Sequence, residues 1–103
     1  MSHNSVVHNL KIAPEFFKLD GSKTFEIRKN DRNYKVGDRL VMRLFSDGEY
    51  KRLVWHLSEM KLVEETVDMA NSSTITAEIT YITDYMQADG YVVLGLKDIR
   101  GTL

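Results

Sequence analysis

One short segment of the chain concentrates residues that could bind a polar ligand. Its turn-forming and charged members are Gly21, Lys23, Glu26 and Arg28. In an extended strand, Glu26 and Arg28 share one face about 7 Å apart. Phe25 and Ile27 are then expected to point into the core. A carboxylate accepts hydrogen bonds from amino groups and arginine donates in a fixed fork, so the pair suits a planar polar ligand. A simple surface ion pair is the alternative that this pattern leaves open.

Charge is unevenly distributed along the 103 residues, although the net charge is only −1. Residues 23–52 carry a net charge of +4 and the remainder −5. Such asymmetry favours an anionic partner such as nucleic acid meeting one surface, with a solvated face of mixed charge as the alternative. The isoelectric point of about 6.3 argues against broad binding to duplex phosphates.

Composition predicts one soluble domain in the cytoplasm. The 43% hydrophobic content is ordinary for a globular protein. The sequence has no apolar run long enough to span a membrane, and residues 1–5 lack the features of a signal peptide. Cysteine is absent, and His3, His8 and His56 have no acidic cluster around them, so neither a metal site nor a cofactor is expected.

Alternating apolar residues bounded by turn signals predict five strands. They are placed at residues 6–12, 24–29, 39–45, 74–82 and 91–96. In the third strand, the side chains expected to face the core are Leu40, Met42 and Leu44. In the fourth strand, Ile75, Ala77, Ile79 and Tyr81 are expected to share one face.

Two helices are predicted between these strands. Pro14 suits the first turn of a short helix that Asp20-Gly21 would close. Between Tyr50 and Ala70, apolar residues recur every three to four positions, which is typical of an amphipathic helix. Residues 53–55 could instead extend as a strand before a helix that begins near Ser58. The expected fold class is therefore α+β, built on a small mixed or closed β-sheet.

Several short motifs in their order along the chain carry a family resemblance. The pattern G-x-K-x-x-E-x-R at residues 21–28 is preceded by His8-x-Leu10-Lys11-Ile12 and followed by Arg28-Lys29-Asn30-Asp31-Arg32, then by Tyr34-Lys35-Val36-Gly37-Asp38 and Gly90-Tyr91-Val92-Val93. With these motifs the chain resembles the ASCH domains of the PUA-like superfamily, close to a bacterial and phage subgroup with no assigned function. The resemblance covers residues 6–48 and 74–97, which leaves an insertion at 49–73 within a single domain of residues 1–103.

The resemblance implies a PUA-like β-barrel. Together with the predicted elements, this gives a small barrel of about five strands, with a short helix after strand 1 and a helical insertion before strand 4. It also implies a cleft that binds RNA or a nucleotide-like ligand. The expected ligand-binding residues are Gly21, Lys23, Glu26, Arg28, Lys29, Arg32 and Tyr34. Lys23 would contact a phosphate or carbonyl, Glu26 a base amino group, and Arg28 a phosphate or base edge. Tyr34 or Tyr50 could stack on an unpaired base or simply pack.

An enzyme is the first alternative. Some of the ASCH-like proteins that this chain resembles are amidohydrolases that act on acylated cytidine. Their catalytic residues are a lysine, a threonine and a glutamate. Lys23 aligns with that lysine, whereas Glu26 occupies the place of the threonine, and Thr24 lies two residues from it. If the chain were such an enzyme, its catalytic residues would be Lys23, Thr24 and Glu26.

A protein-interaction module is the second alternative. The insertion at 49–73 carries Trp55, Met60 and Met69, which could cover the cleft or contact a protein partner.

Overall fold

The computed structural model describes residues 5–103, and within this range the chain forms seven β-strands. They are β1 Val7–Ile12, β2 Phe25–Lys29, β3 Arg39–Ser46, β4 Glu49–His56, β5 Lys61–Thr66, β6 Thr74–Thr83 and β7 Tyr91–Thr102. Short 3₁₀ turns lie at Pro14–Phe16 and Met69–Asn71. The predictions about residues 1–4, including the role of His3, lie outside the described residues.

The strands form a curled half-barrel in the order β2-β7-β6-β3-β4-β5, and β1 pairs in parallel with β3. The edge strands β1 and β2 approach each other at the open side of the curl, where the Arg28 Nη2 donates a 2.8 Å hydrogen bond to the carbonyl oxygen of Lys11. A side chain, rather than strand pairing, therefore spans the opening between β1 and β2. This gap is called the β1–β2 opening below.

The core was well predicted where apolar residues alternate. Leu40, Met42 and Leu44 of β3 are buried, as are Ile75, Ala77 and Ile79 of β6. Although Tyr81 is expected on the same face, it does not join them, because the pairing of β6 with β7 shifts register between Ile79 and Tyr81. The Tyr81 side chain is instead 53% exposed, and its ring occupies the space beside Gly95 where a Cβ atom would lie.

The predicted α+β class, with a β-barrel of about five strands, is wrong, because the described chain is nearly all sheet and its seven strands form a half-barrel. The 50–70 segment forms a β-hairpin instead of an amphipathic helix. Val54 pairs with Val63 and Trp55 with Leu62 across the hairpin. The apolar residues recur at helical spacing only because a turn lies between the two strands and shifts their alternation. Met60 lies in that turn and has a φ of 54°. The β-branched and aromatic side chains of these strands pack better on a pleated surface than in a helix.

The helix predicted after strand 1 is also wrong, because only one 3₁₀ turn forms at Pro14–Phe16. The residue that precedes it, Ala13, offers no side chain to cap the backbone N–H groups. Phe17 then returns to an extended conformation and is buried in the core. Burial of this aromatic ring outweighs the weak tendency of such a short segment to continue as a helix.

A buried carboxylate fixes the start of β1 against the turn before β3. Asp38 is 1% exposed and accepts hydrogen bonds from the backbone N–H groups of Val6 and Lys35, each at 3.1 Å. His8 Nε2 lies 2.8 Å from Asp38 Oδ2. Burial alone would raise the pKa of Asp38, but the hydrogen bonds from His8, Val6 and Lys35 outweigh it and lower the pKa. The carboxylate is therefore ionised and His8 donates from Nε2.

Candidate functional site

The charged residues of β2 face the inside of the half-barrel, opposite to the expected arrangement. Glu26 and Arg28 pair with the buried Leu94 and Val92 of β7, so all four side chains lie on the inner face. The prediction that Phe25 and Ile27 point inward is wrong, because these side chains are 51% and 48% exposed. The prediction that Glu26 and Arg28 share one face is confirmed.

Glu26 is a buried carboxylate held between two cations. Its side chain is 9% exposed, Oε2 lies 3.1 Å from Lys23 Nζ, and Oε1 lies 3.4 Å from Arg28 Nε. Neither contact has the geometry of a hydrogen bond, so Glu26 Oε2 and Arg28 Nε have no hydrogen-bond partner among residues 5–103. Buried polar atoms of this kind usually have a partner, and those that lack one are candidates for ligand contact.

A small pocket at the β1–β2 opening has Glu26 in its wall. It has a volume of about 270 Å³ and is called the Glu26 pocket. Its lining residues are Lys11, Ile12, Ala13, Phe16, Glu26, Ile27 and Arg28. The Lys23 ammonium lies 5.7 Å from the centre of the Phe16 ring, which places this cation beside the same pocket. The pocket thus combines an acceptor, donors and an aromatic wall.

A larger pocket of about 490 Å³ lies next to the Glu26 pocket and shares Lys11 and Arg28 with it. It is called the basic pocket, because five cations and one anion line it. The charged lining residues are Lys11, Arg28, Lys29, Asp31, Arg32 and Arg43. Its uncharged lining includes Asn9, Leu10, Tyr34, Tyr50 and Met69.

Lys11 and Arg43 enter the basic pocket from neighbouring strands. They are direct partners in the parallel pairing of β1 with β3. Lys11 Nζ lies 4.3 Å from the centre of the Phe45 ring, and Arg43 Nη1 donates a 3.0 Å hydrogen bond to the carbonyl of Met69. Arg43 Nε is buried and finds no hydrogen-bond partner in the described part of the chain.

The remaining predicted residues divide between the pocket walls and a turn. Lys29, Arg32 and Tyr34 line the basic pocket, as does Tyr50. Tyr34 is buried with its ring 4.8 Å from that of His8, and burial raises its pKa. Gly21 lies in an exposed turn with a φ of 76°, a conformation that glycine adopts at little cost.

Thr24 is exposed and precedes β2, while Lys23 and Glu26 pair with each other. Of the three residues of the enzyme alternative, Lys23 and Glu26 thus form an ion pair.

Sequence analysis missed Lys11 and Arg43 as site residues. A usable signal was present, because both alternate with core residues, Lys11 with Leu10 and Ile12, and Arg43 with Met42 and Leu44. Alternation places each on the face away from the core. What it does not reveal is the parallel pairing that brings the two side chains together.

The described chain is thus a small β-sheet protein whose open edge carries a basic, partly aromatic cleft. A family model described as "Domain of unknown function (DUF3850)" matches residues 7–96, so the chain belongs to this family. The chain is also similar to the "Uncharacterized 12.9 kDa protein in GpA 3'region" of Escherichia phage P2, with 37% identity over 46 residues. The match covers 43% of this chain and 42% of the phage protein, so less than half of that relative is spanned.

Between residues 5 and 103, no helix is long and apolar enough to cross a membrane. Over the same range, no group of three or more histidines and carboxylates could hold a metal ion.

Proposed function

We propose that the chain is an ASCH-like domain that binds RNA or a nucleotide-like ligand at the β1–β2 opening. The observation that carries the proposal is the buried Glu26 carboxylate, which lines a pocket and has one oxygen with no hydrogen-bond partner among the residues that the structure describes. The resemblance of residues 21–28 to the ASCH motif supports it, as do the cations around the adjoining pocket.

The chemistry of the Glu26 pocket suits the edge of a nucleobase. An ionised carboxylate only accepts hydrogen bonds, so it favours a base with an exocyclic amino group over one without. Lys23 and Arg28 balance the negative charge of this buried carboxylate. Their N–H donors also suit carbonyl or phosphate oxygens of a ligand. Cytidine offers the amino group that uridine lacks, so the pocket should prefer cytidine.

Replacing Glu26 by glutamine tests the proposal. Cytidine and uridine would be titrated separately into the protein, with binding followed by residue-resolved NMR. For the unchanged protein we expect shifts at residues 21–28 and tighter binding of cytidine. Glu26→Gln should weaken cytidine binding about tenfold, because one charge-assisted hydrogen bond is lost, and leave uridine binding almost unchanged.

A matched control is Glu78→Gln, because Glu78 also lies between two cations, Arg39 and Lys97, but on β6 away from the pockets. It should leave both affinities within twofold of the unchanged protein. Absence of shifts at residues 21–28 with either nucleoside and with short single-stranded RNA would refute the proposal. Release of product from acylated cytidine, lost in Lys23→Ala, would instead establish the amidohydrolase.

A second candidate function is protein interaction through the β4–β5 hairpin, in which a second copy of the chain is the partner. Strand β5 pairs with β4 on one side and ends the sheet. The hairpin also exposes Trp55 and Met60, at 51% and 70%. An antiparallel pairing of two β5 edges centred on Val63 would place each Lys61 opposite Glu65 of the second copy. Opposite charges in that position stabilise a sheet.

Sedimentation equilibrium tests this candidate. The unchanged protein should form a dimer, and Lys61→Glu should raise the dimer dissociation constant about tenfold, because two attractive pairs become repulsive. The control Leu57→Ser changes the hairpin turn outside the paired edge and should not alter dimerisation. A protein that stays monomeric at high concentration, or a dimer indifferent to Lys61→Glu, would contradict the pairing.

A further inference from the structure

We infer that the basic pocket holds a phosphate group of the nucleotide whose base occupies the Glu26 pocket. This inference rests on the proposed function and adds a second subsite to it. The ligand class becomes a nucleotide, free or within an RNA strand, rather than a nucleoside.

The first support is the common wall of the two pockets. Lys11 and Arg28 line both, so the pockets meet at the hydrogen bond from Arg28 to the Lys11 carbonyl. A ligand that lies across this point has one end beside the Glu26 carboxylate and the other among cations. Base and phosphate are the two ends of a nucleotide with that charge pattern.

The second support is a set of guanidinium donors that the protein leaves unused. The Nε atoms of Arg28 and Arg43 are buried and make no hydrogen bond within the described range, although Arg28 Nε lies 3.4 Å from Glu26 Oε1. Arg43 is already oriented by its bond to the Met69 carbonyl, so little conformational freedom is lost when it binds. Guanidinium groups donate paired hydrogen bonds to phosphate oxygens.

The third support is uncompensated positive charge. Among the described residues, no carboxylate lies within ion-pair distance of Lys11, Lys29, Arg32 or Arg43, and Asp31 is the single anion in the lining. Like charges that converge on a pocket repel each other unless an anion binds between them. A phosphate supplies that anion.

Isothermal titration calorimetry at fixed low salt tests the subsite with cytidine, cytidine 5′-monophosphate, cytidine 3′-monophosphate and inorganic phosphate. At least one monophosphate should bind about tenfold more tightly than cytidine, since one charge-assisted contact is worth roughly that factor. Arg43→Gln should remove this gain and leave cytidine binding unchanged. A short single-stranded RNA should show the same sensitivity if the phosphate belongs to a strand.

Two variants guard against an effect of misfolding. Arg32→Gln changes an exposed residue of the same pocket that makes no ion pair, and it should remove part of the gain without altering the melting temperature. Arg100→Gln changes an exposed arginine of β7 outside the lining and should have no effect.

The outcomes separate the two claims. Monophosphates that bind no more tightly than cytidine, or a gain that persists in Arg43→Gln, would overturn the phosphate subsite and leave the proposed function standing. Inorganic phosphate that binds as tightly as the monophosphates, together with no cytidine binding, would support the anion site and contradict the proposed function. No binding of any probe would refute both.

Discussion

Asp38→Asn is expected to lower the free energy of unfolding by about 3 kcal/mol, because it breaks a buried, charge-assisted hydrogen-bond network. Asparagine keeps one acceptor oxygen but presents an NH₂ group to donors that need an acceptor. If the NH₂ group takes the place of Oδ2, His8 Nε2 and the Lys35 N–H lose their acceptor; if it takes the place of Oδ1, the Val6 N–H does. Urea denaturation at pH 7, monitored by circular dichroism, measures this decrease in the free energy of unfolding.

The pH dependence gives this prediction a second readout. The pKa of Asp38 is lower in the folded chain than in the unfolded chain, where a value of about 3.9 applies. Its contribution is therefore complete above that value and is lost as the pH falls through the folded pKa. The stability difference between the unchanged protein and Asp38→Asn should shrink below about pH 4.

The control is Asp84→Asn, an exposed position where the change should alter stability by less than about 0.5 kcal/mol. An Asp38→Asn variant as stable as this control at pH 7 would show that the network contributes little.

Arg28→Ala is expected to have the largest effect on ligand binding, because Arg28 is shared by both pockets and spans the β1–β2 opening. The change removes a wall of the Glu26 pocket, a donor in the basic pocket and the bond to the Lys11 carbonyl. Loss of two charge-assisted contacts should weaken binding of a cytidine monophosphate about 100-fold. Calorimetry of the variant and of the unchanged protein under the same conditions gives the ratio of their dissociation constants.

Arg28→Lys separates charge from shape. Lysine keeps the positive charge but lacks the planar fork, so it should recover only a small part of the lost affinity. Arg39→Ala, at a half-exposed ion pair on β3, is the control and should change affinity by less than twofold. Full recovery in Arg28→Lys would mean that charge alone matters at this position, and an Arg28→Ala variant that binds normally would exclude Arg28 from the site.

Local alternation predicted those parts of the fold that depend on one strand at a time. The buried faces of β3 and β6 follow from Leu40, Met42, Leu44, Ile75 and Ala77, because a strand with one buried face must alternate. The β4–β5 hairpin was missed because its turn gives two strands an apparent helical period. The 3₁₀ turn at Pro14–Phe16 is shorter than predicted because tertiary burial of Phe17 decides its end.

The candidate site was predictable in part for similar reasons. The spacing of Glu26 and Arg28 placed them on one face, but the rule that aromatic and aliphatic residues turn inward gave the wrong face. The compensating cations, Lys23 and Arg28, make burial of the Glu26 carboxylate tolerable. Lys11 and Arg43 meet only through the parallel pairing of β1 with β3, a contact between distant segments that no local pattern encodes.

Strand β2 is held in the sheet by β7 alone, although more than 60 residues separate Arg28 from its partner Val92. A ribosome adds about 5–20 residues per second, so several seconds pass between synthesis of the two strands. Until β7 emerges, Glu26 and Arg28 have no neighbouring strand to orient them. A nascent chain that stops before residue 91 would therefore contain all of residues 21–28 and still have no formed cleft. The chain can thus bind its ligand only when nearly all of this domain has been synthesised.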